Sequence, residues 1–207
     1  MKRILLALIA SLMAAGSLPA LAAFSLSVPV VAAVPPASAS SFPNGVVAKL
    51  DWDLTDGQNT SEPATATLVR DGKYFYVRFD ATQTAPMIGL AGGDSVAINL
   101  WPNGQSGELY RFGVGLSGAH TLDSTANTAD WEATESTHPG GYSVTMKIPM
   151  SVVPSTSAVR VQFSRWIAST GELQVWAHSS AATDVDQAGS LTFSSSVGTA
   201  ALSFPQP

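Results

Sequence analysis

The sequence predicts an all-β protein, an antiparallel β-sandwich formed by a single domain that follows a cleaved signal peptide. From Val46 onward, short runs alternate apolar and polar residues with the period of two that is typical of half-buried strands. Turn signals rich in Gly, Pro and Asn recur between these runs. No segment carries an apolar stripe at helical spacing over three turns, so we expect no long helix.

The first 22 residues have the composition of a secretory signal peptide. Lys2 and Arg3 form a basic start, residues 4–15 an apolar core, and residues 19–22 end it with small side chains at the −3 and −1 positions. We therefore predict cleavage after Ala22. Gly and Pro interrupt the apolar run before it reaches the ~20 residues of a membrane span. The mature chain is expected to have no transmembrane segment and to be exported, to the periplasm or the extracellular space.

Residues 23–45 are predicted to form a linker. The segment is rich in Ala, Ser, Val and Pro and contains no charged residue, a composition typical of extended linkers. The alternative is that part of it packs as an edge strand.

The sandwich domain is predicted to cover residues 46–204. Asp71-Gly72 separates two alternating runs and predicts a hairpin closed by a two-residue turn with positive φ. Strands of this length and spacing, with few helices, favour a sandwich of the immunoglobulin or jelly-roll kind. The predicted strands are the runs 64–70, 73–80, 94–101, 108–116, 142–148, 158–166, 172–177, 190–193 and 200–204.

Composition excludes several classes of function. The 207-residue chain has 15 acidic and 10 basic residues, and the basic ones are scattered. Because phosphate contacts need clustered Lys and Arg, we predict no nucleic-acid partner. The absence of Cys rules out disulfides, thiolate metal sites and cysteine nucleophiles.

A set of landmarks follows one another along residues 46–193. They are Asp51-Trp52-Asp53, ATLVRDGKYFYVRF at 66–79, DSVAINL at 94–100, GYSVTMKIP at 141–149, VQFSR at 161–165, Trp176, and AGSL at 188–191. In order and spacing, they resemble the carbohydrate-binding module family nine-like domain, a DOMON-related β-sandwich. The resemblance implies a sandwich that binds sugars and that often accompanies glycoside hydrolases in carbohydrate catabolism.

The sequence departs from this family at the sugar clamp. In sugar-binding members, two aromatic side chains hold a sugar ring, one just before the Asp-Ser strand and the other just before the terminal Gly-x-Leu strand. The corresponding stretches here, residues 90–93 and 182–185, contain no aromatic residue. The ligand therefore cannot be carried over from the resemblance alone.

A polar strand face offers a different candidate for sugar binding. Aromatic rings that stack on the apolar face of a sugar are the main route to neutral glycan recognition. We predict Trp166 as the stacking platform with Trp101 in support; the alternative for both is packing at the sandwich ends or under loops. Trp52, Trp131 and Trp176 are assigned to the core. If the strands pair as the resemblance implies, the predicted ligand-binding residues share one face: Asn99, Trp101, Arg111, Gln162, Ser164 and Trp166.

No catalytic or metal site is predicted. Asp51, Asp53 and Asp56 partly match a calcium loop, but Gly57 comes one position late. Calcium is thus only weakly supported, and no other cofactor is expected. None of the three His has a second ligand at zinc spacing. Because the chain contains neither a nucleophile elbow nor a convincing carboxylate pair, we do not assign an enzyme activity.

The sequence therefore predicts a non-catalytic carbohydrate-binding module-like protein whose partner is a glycan or polysaccharide. One alternative is an envelope or extracellular interaction protein that binds a partner protein instead of sugar. The other is a haem-binding electron-transfer domain, with Met87, Met146 and Lys147 as candidate ligands. Met146 is expected in the core and Lys147 on the opposite strand face, which disfavours a shared iron.

Overall fold

The computed structural model describes residues 24–32, 42–89, 92–104, 108–117, 120–123, 131–152 and 159–197. The predicted signal peptide and the predicted strand at 200–204 lie outside these residues. Within the described part of the chain, no helix is long and apolar enough to cross a membrane.

Strands dominate the described residues, which confirms the predicted all-β class. The helical element among them is a 3-10 turn, Met150–Val152. The strands are β1 (Ser25–Val30), β2 (Val46–Asp53), β3 (Gln58–Arg70), β4 (Tyr74–Thr82), β5 (Ser95–Trp101), β6 (Tyr110–Gly115), β7 (His120–Asp123), β8 (Glu132–His138), β9 (Gly141–Pro149), β10 (Val159–Ile167), β11 (Glu172–Val175) and β12 (Gly189–Val197).

The strands form two layers of a sandwich that are joined along both sides. One layer has the order β7-β6-β5-β10-β11, and the other has the order β2-β3-β4-β9-β8, with β11 paired to β2. On the opposite side, β12 pairs with β10, and β1 links β12 to β3. β1 runs parallel to both of its neighbours, whereas the other ladders are antiparallel.

The core lies between the two layers and is built by the period-two alternation. Phe79 on β4 meets Phe163 on β10 edge-on, with ring centroids 6.2 Å apart. Each fully buried aliphatic or aromatic side chain stabilises the fold by roughly 1.5–3 kcal/mol. The inward-facing residues at zero exposure include Leu50, Leu68, Phe75, Val77, Ile98, Leu100, Phe112, Val144, Met146, Ile148 and Val161.

The hairpin predicted at Asp71-Gly72 is present between β3 and β4, but the predicted positive φ is wrong. Gly72 is absent from the positive-φ glycines. The Asp71 carboxylate organises the turn instead, because it accepts hydrogen bonds from the backbone N–H groups of Lys73 (2.6 Å) and Tyr74 (2.7 Å) and from the Tyr76 hydroxyl (3.0 Å). Burial acts to raise the pKa of Asp71, but these hydrogen bonds and the nearby Lys73 charge together lower it below its usual value.

Part of the segment predicted as a linker is strand β1. Leu26, Val28 and Val30 alternate with polar or small residues, and Val28 is fully buried. The segment 25–30 is therefore a strand, as the alternative proposed, but it lies between β12 and β3 and not at an edge as that alternative expected. Residues 33–41 of the predicted linker lie outside the described part.

A charged side chain, Arg165, lies buried between the layers at one end of the sandwich. It faces inward because it pairs with core-facing Val96 across the β10–β5 ladder. All five of its N–H donors are used, and no acceptor is a carboxylate. The acceptors are the Tyr142 hydroxyl (3.1 Å), the Glu62 carbonyl (2.9 Å), Gln174 Oε1 (3.2 Å), the Thr82 carbonyl (3.2 Å) and Gln83 Oε1 (2.8 Å). Burial raises the pKa of the Tyr142 hydroxyl, and the adjacent guanidinium only partly offsets this.

Candidate functional site

The predicted ligand-binding residues lie on the outer face of three adjacent strands, β6, β5 and β10. Arg111, Asn99 and Gln162 stand side by side in one row across this face. Trp166 lies opposite Ser95 at one end of the β10–β5 ladder, and Trp101 lies at the other. The side chains therefore lie on one sheet face, as the alternation predicts. Most of them, however, are buried and not exposed as a ligand-binding surface requires.

A segment of the chain between β11 and β12, residues 176–188, crosses the middle of this face; we call it the cover segment. Gln162 Nε2 donates to the Ala177 carbonyl and to Ser179 Oγ, both at 2.8 Å, and its Oε1 accepts from the Ala177 N–H at 2.9 Å. Asn99 Nδ2 donates to the Ala182 carbonyl at 2.8 Å. Both side chains are buried and hold the cover segment, so neither is open to a ligand.

Trp101 is buried, contrary to the prediction that it supports an exposed platform. Only 2% of it is exposed, and it packs with Val185 and Ala188 of the cover segment. Ser164 is buried as well. The alternative that the sequence left open for Trp101, packing beneath a loop, is the arrangement found.

Trp166 and Arg111 are the predicted site residues that remain exposed. Trp166 is 36% exposed; on the β5 side its neighbours in the same row, Ser95 and Gly115, are small, and on the β11 side its neighbour is Leu173. The turn 168–171 flanks the ring, since a Cβ at Gly171 would stand 3.9 Å from its edge. The indole is thus a flat apolar surface beside a low floor, which is a geometry suited to stacking.

Asp94 fixes the surroundings of Trp166, a role that the sequence analysis missed. Its buried carboxylate accepts from the Ala168 N–H and from the Met87 N–H, both at 2.8 Å, while its carbonyl accepts from the Leu116 N–H at 2.9 Å. Three loops are therefore tied to one residue. The available signal is an acidic residue directly before a strand, a position that favours hydrogen bonds to loop backbone.

A pocket of about 300 Å³ opens at the end of the sandwich, on the other side of the turn 168–171; we call it the end pocket. The inner wall includes Glu62 and Gln83, both of which accept hydrogen bonds from Arg165. Sequence analysis could not find this pocket because three separate parts of the chain form it. Its lining consists of Glu62, Gln83, Thr84, Ala85, Ile167, Ser169, Thr170 and Glu172.

The remaining tryptophans occupy different environments. Trp176 is buried in the core, as predicted, and Trp131 packs edge-on against core residue Phe112 at 5.5 Å. Trp52 is only half-buried and lies outside the core cluster, where it stacks on His178 with ring centroids 4.6 Å apart. The assignment of Trp52 to the core is therefore wrong.

The acidic residues near the end of β2 are engaged in turns. Asp53 Oδ1 accepts from the N–H groups of Thr55 (2.8 Å) and Leu173 (3.2 Å), and Asp56 Oδ1 accepts from the Gln58 N–H (2.9 Å). No group of three or more potential metal ligands occurs in the part of the chain that the structure describes.

Two of the three candidate haem ligands, Met146 and Lys147, lie in unsuitable places. Met146 is fully buried within the continuous apolar core. Lys147 lies on the opposite face of the same strand, 3.3 Å from a Glu132 carboxylate oxygen and 4.2 Å from the centre of the Tyr74 ring. These two residues do not fit as ligands to one haem iron.

Comparison with known proteins identifies the fold. No protein-family model and no curated protein matches the sequence. A family 9 carbohydrate-binding module from Caldicellulosiruptor kristjanssonii in complex with cellotriose superposes with a TM-score of 0.69 at 17% identity, covering 88% of this chain and all of the module. A family 9 module from that organism in complex with glucose gives 0.67 at 16% identity, covering 82% and 95%. The protein thus has the β-sandwich fold of these modules, which confirms the resemblance at the level of the fold.

The different burial of Trp101 and Trp166 predicts different losses of stability when each side chain is truncated. Truncating Trp101 leaves a cavity beneath the cover segment, so we expect Trp101→Ala to lower the free energy of unfolding by about 3–5 kcal/mol. Trp166→Ala should lower it by clearly less, because 36% of this side chain is already exposed to solvent and no buried cavity forms. Urea denaturation of both variants measures the difference. Equal losses would contradict the assigned burial.

Proposed function

We propose that the protein is a non-catalytic carbohydrate-binding module that binds a neutral glycan on its outer face, with Trp166 as the stacking platform. The observation that carries this proposal is the exposure of Trp166. Among the described Trp, Tyr and Phe side chains, Trp166 is the most accessible, with 36% of it exposed. An accessible indole face offers an apolar surface on which the C–H face of a sugar ring can stack.

The structural neighbours support a sugar as the ligand. The two similar modules were solved with cellotriose and with glucose, and the present chain shares their fold. Residues 182–185 correspond to one half of the family's aromatic clamp, but here they belong to the cover segment. Ala182 accepts the hydrogen bond from Asn99, and Val185 packs on Trp101. These contacts support a stacking surface at Trp166, away from the position of the clamp, as the proposal requires.

Arg111 supplies the polar contact on the same face. It is exposed and lies four residues along the sheet and two strands across from Trp166, a separation of roughly 16 Å from the strand rise and the strand spacing. A single sugar ring cannot reach both side chains, whereas an oligosaccharide can. One stacked ring with a few hydrogen bonds corresponds to affinities from micromolar to millimolar, roughly −4 to −8 kcal/mol.

We also propose that the protein is exported to the periplasm or the extracellular space. This proposal rests on the basic, apolar and small-residue regions of residues 1–22. An exported protein can meet extracellular polysaccharide, so the signal peptide and the proposed ligand are consistent with each other.

The platform is tested by Trp166→Ala. We expect the variant to bind cellotriose at least roughly tenfold more weakly by calorimetry, since about 1.4 kcal/mol of lost stacking gives that factor. Retention on insoluble polysaccharide should fall in parallel. Val47→Ala, which truncates an exposed apolar residue of β2, is the matched control and should bind as the wild type does. Unchanged binding by Trp166→Ala would contradict the platform.

The export proposal is tested by the N-terminus of the mature protein. Mass spectrometry of the exported fraction should find Ala23 as the first residue. Replacing Lys2 and Arg3 by Glu removes the basic start that signal peptides need, so that variant should stay uncleaved. An exported wild-type protein that still begins with Met1 would contradict the predicted cleavage.

A further inference from the structure

We propose that the end pocket is a second binding site, for a small hydroxylated ammonium compound of the amino-sugar class. Trp166 does not line this pocket, so the site is separate from the stacking platform and does not depend on the proposed neutral-glycan function. The proposal is carried by the charge, the unpaired polar atom and the size of the cavity.

The net charge of the groups around the end pocket is complementary to one bound cation. Glu62 and Glu172 line it, and its lining contains no basic residue. The nearest cation, Arg165, is buried behind the wall, and oxygen atoms occupy all five of its donors. Two carboxylates against one guanidinium leave a charge of −1, which a single ammonium group neutralises. Among the described residues, neither carboxylate forms an ion pair with the protein's own cations.

The Glu172 carboxylate is held in place before any ligand arrives. Its Oε1 accepts from Gln174 Nε2 at 2.8 Å, and the same nitrogen donates to Thr60 Oγ1 at 2.6 Å. Gln174 Oε1 in turn accepts from Arg165 at 3.2 Å. A preorganised carboxylate binds a cation without a large cost in side-chain ordering.

Gln83 leaves a donor without a partner in the pocket wall. This side chain is only 3% exposed. Its Oε1 accepts from Arg165 at 2.8 Å, which sets the orientation of the amide, while Nε2 has no hydrogen-bond partner. Unpaired buried donors are unfavourable. A hydroxyl oxygen of a bound ligand would satisfy this N–H.

The rest of the lining matches a sugar-sized molecule. Thr84, Ser169 and Thr170 contribute hydroxyl groups, and Ala85 and Ile167 contribute apolar surface. A volume of about 300 Å³ lies at the small end of ligand pockets. A neutral sugar would cover the two carboxylates and leave the net charge of −1 uncompensated, which is unfavourable. A protonated amino sugar supplies the ammonium, the hydroxyls and the apolar C–H groups together.

The experiment compares D-glucosamine with glucose and N-acetylglucosamine by calorimetry, at a pH where the amine is protonated. We expect glucosamine to bind at least roughly tenfold more tightly than either neutral sugar. Glu62→Gln and Glu172→Gln keep the side-chain shape and should each remove roughly this factor. Glu132→Gln removes the same charge from an exposed carboxylate on β8 and is the control that should change little.

Further binding measurements on the variants distinguish the end pocket from the stacking platform at Trp166. Trp166→Ala should retain glucosamine binding, and the two pocket variants should retain cellotriose binding. Loss of glucosamine binding in Trp166→Ala would overturn the claim of a separate site. Equal affinity for glucosamine and glucose, equal loss in Glu132→Gln, or no glucosamine binding by the wild type would overturn the proposal. Binding of ethanolamine as tight as that of glucosamine would overturn the amino-sugar class.

Discussion

The hydrogen bonds of the buried Arg165 are the constraint on which the functional end of the sandwich depends. A guanidinium keeps its charge in a protein interior, so each of its donors needs an acceptor. The acceptors come from β3, from the end of β4 and from the strands β9 and β11. Both layers of the sandwich are therefore held to one side chain. This arrangement gives the end pocket its inner wall.

The inward orientation of Arg165 also determines which side chain of β10 lies on the outer face. Successive side chains of a strand point to opposite sides, so the inward position of Arg165 places Trp166 outside. Asp94 then ties the turn after Trp166 to the loop before β5 through the N–H groups of Ala168 and Met87. The stacking platform and the end pocket lie on the two sides of this turn. The two proposed sites thus share a turn that Asp94 holds by hydrogen bonds.

Local sequence patterns predicted the strands and the face on which residues lie. Asn99, Gln162 and Trp166 share one face, as the alternation requires. The patterns could not predict what lies over that face, because the cover segment comes about 80 residues after Trp101 in the chain. The burial of Trp101 and the closure of the polar face are consequences of that long-range contact. For the same reason, the end pocket, formed by three segments, left no sequence signal.

Two predictions about local structure, the positive φ at Gly72 and the linker at residues 25–30, are wrong for simpler reasons. The Asp71 turn was assigned from the Asp-Gly pair, whereas the Asp71 side chain bonds the following backbone and makes a positive φ at Gly72 unnecessary. Strand β1 lacks charges and contains Pro, so its composition indicated a linker. Pairing with β12 and β3 nevertheless buries Val28. In both cases tertiary or side-chain contacts outweighed composition.

The central claim is that a neutral glycan stacks on Trp166 and not on the other tryptophans. NMR titration with cellotriose of protein labelled with nitrogen-15 follows the indole N–H signals of the tryptophans individually, and Trp166→Phe assigns the key signal. The account predicts a saturable shift of the Trp166 signal, with the signals of buried Trp101 and Trp176 unchanged. A shift confined to Trp52, or no shift of Trp166 while the glycan binds, would contradict it.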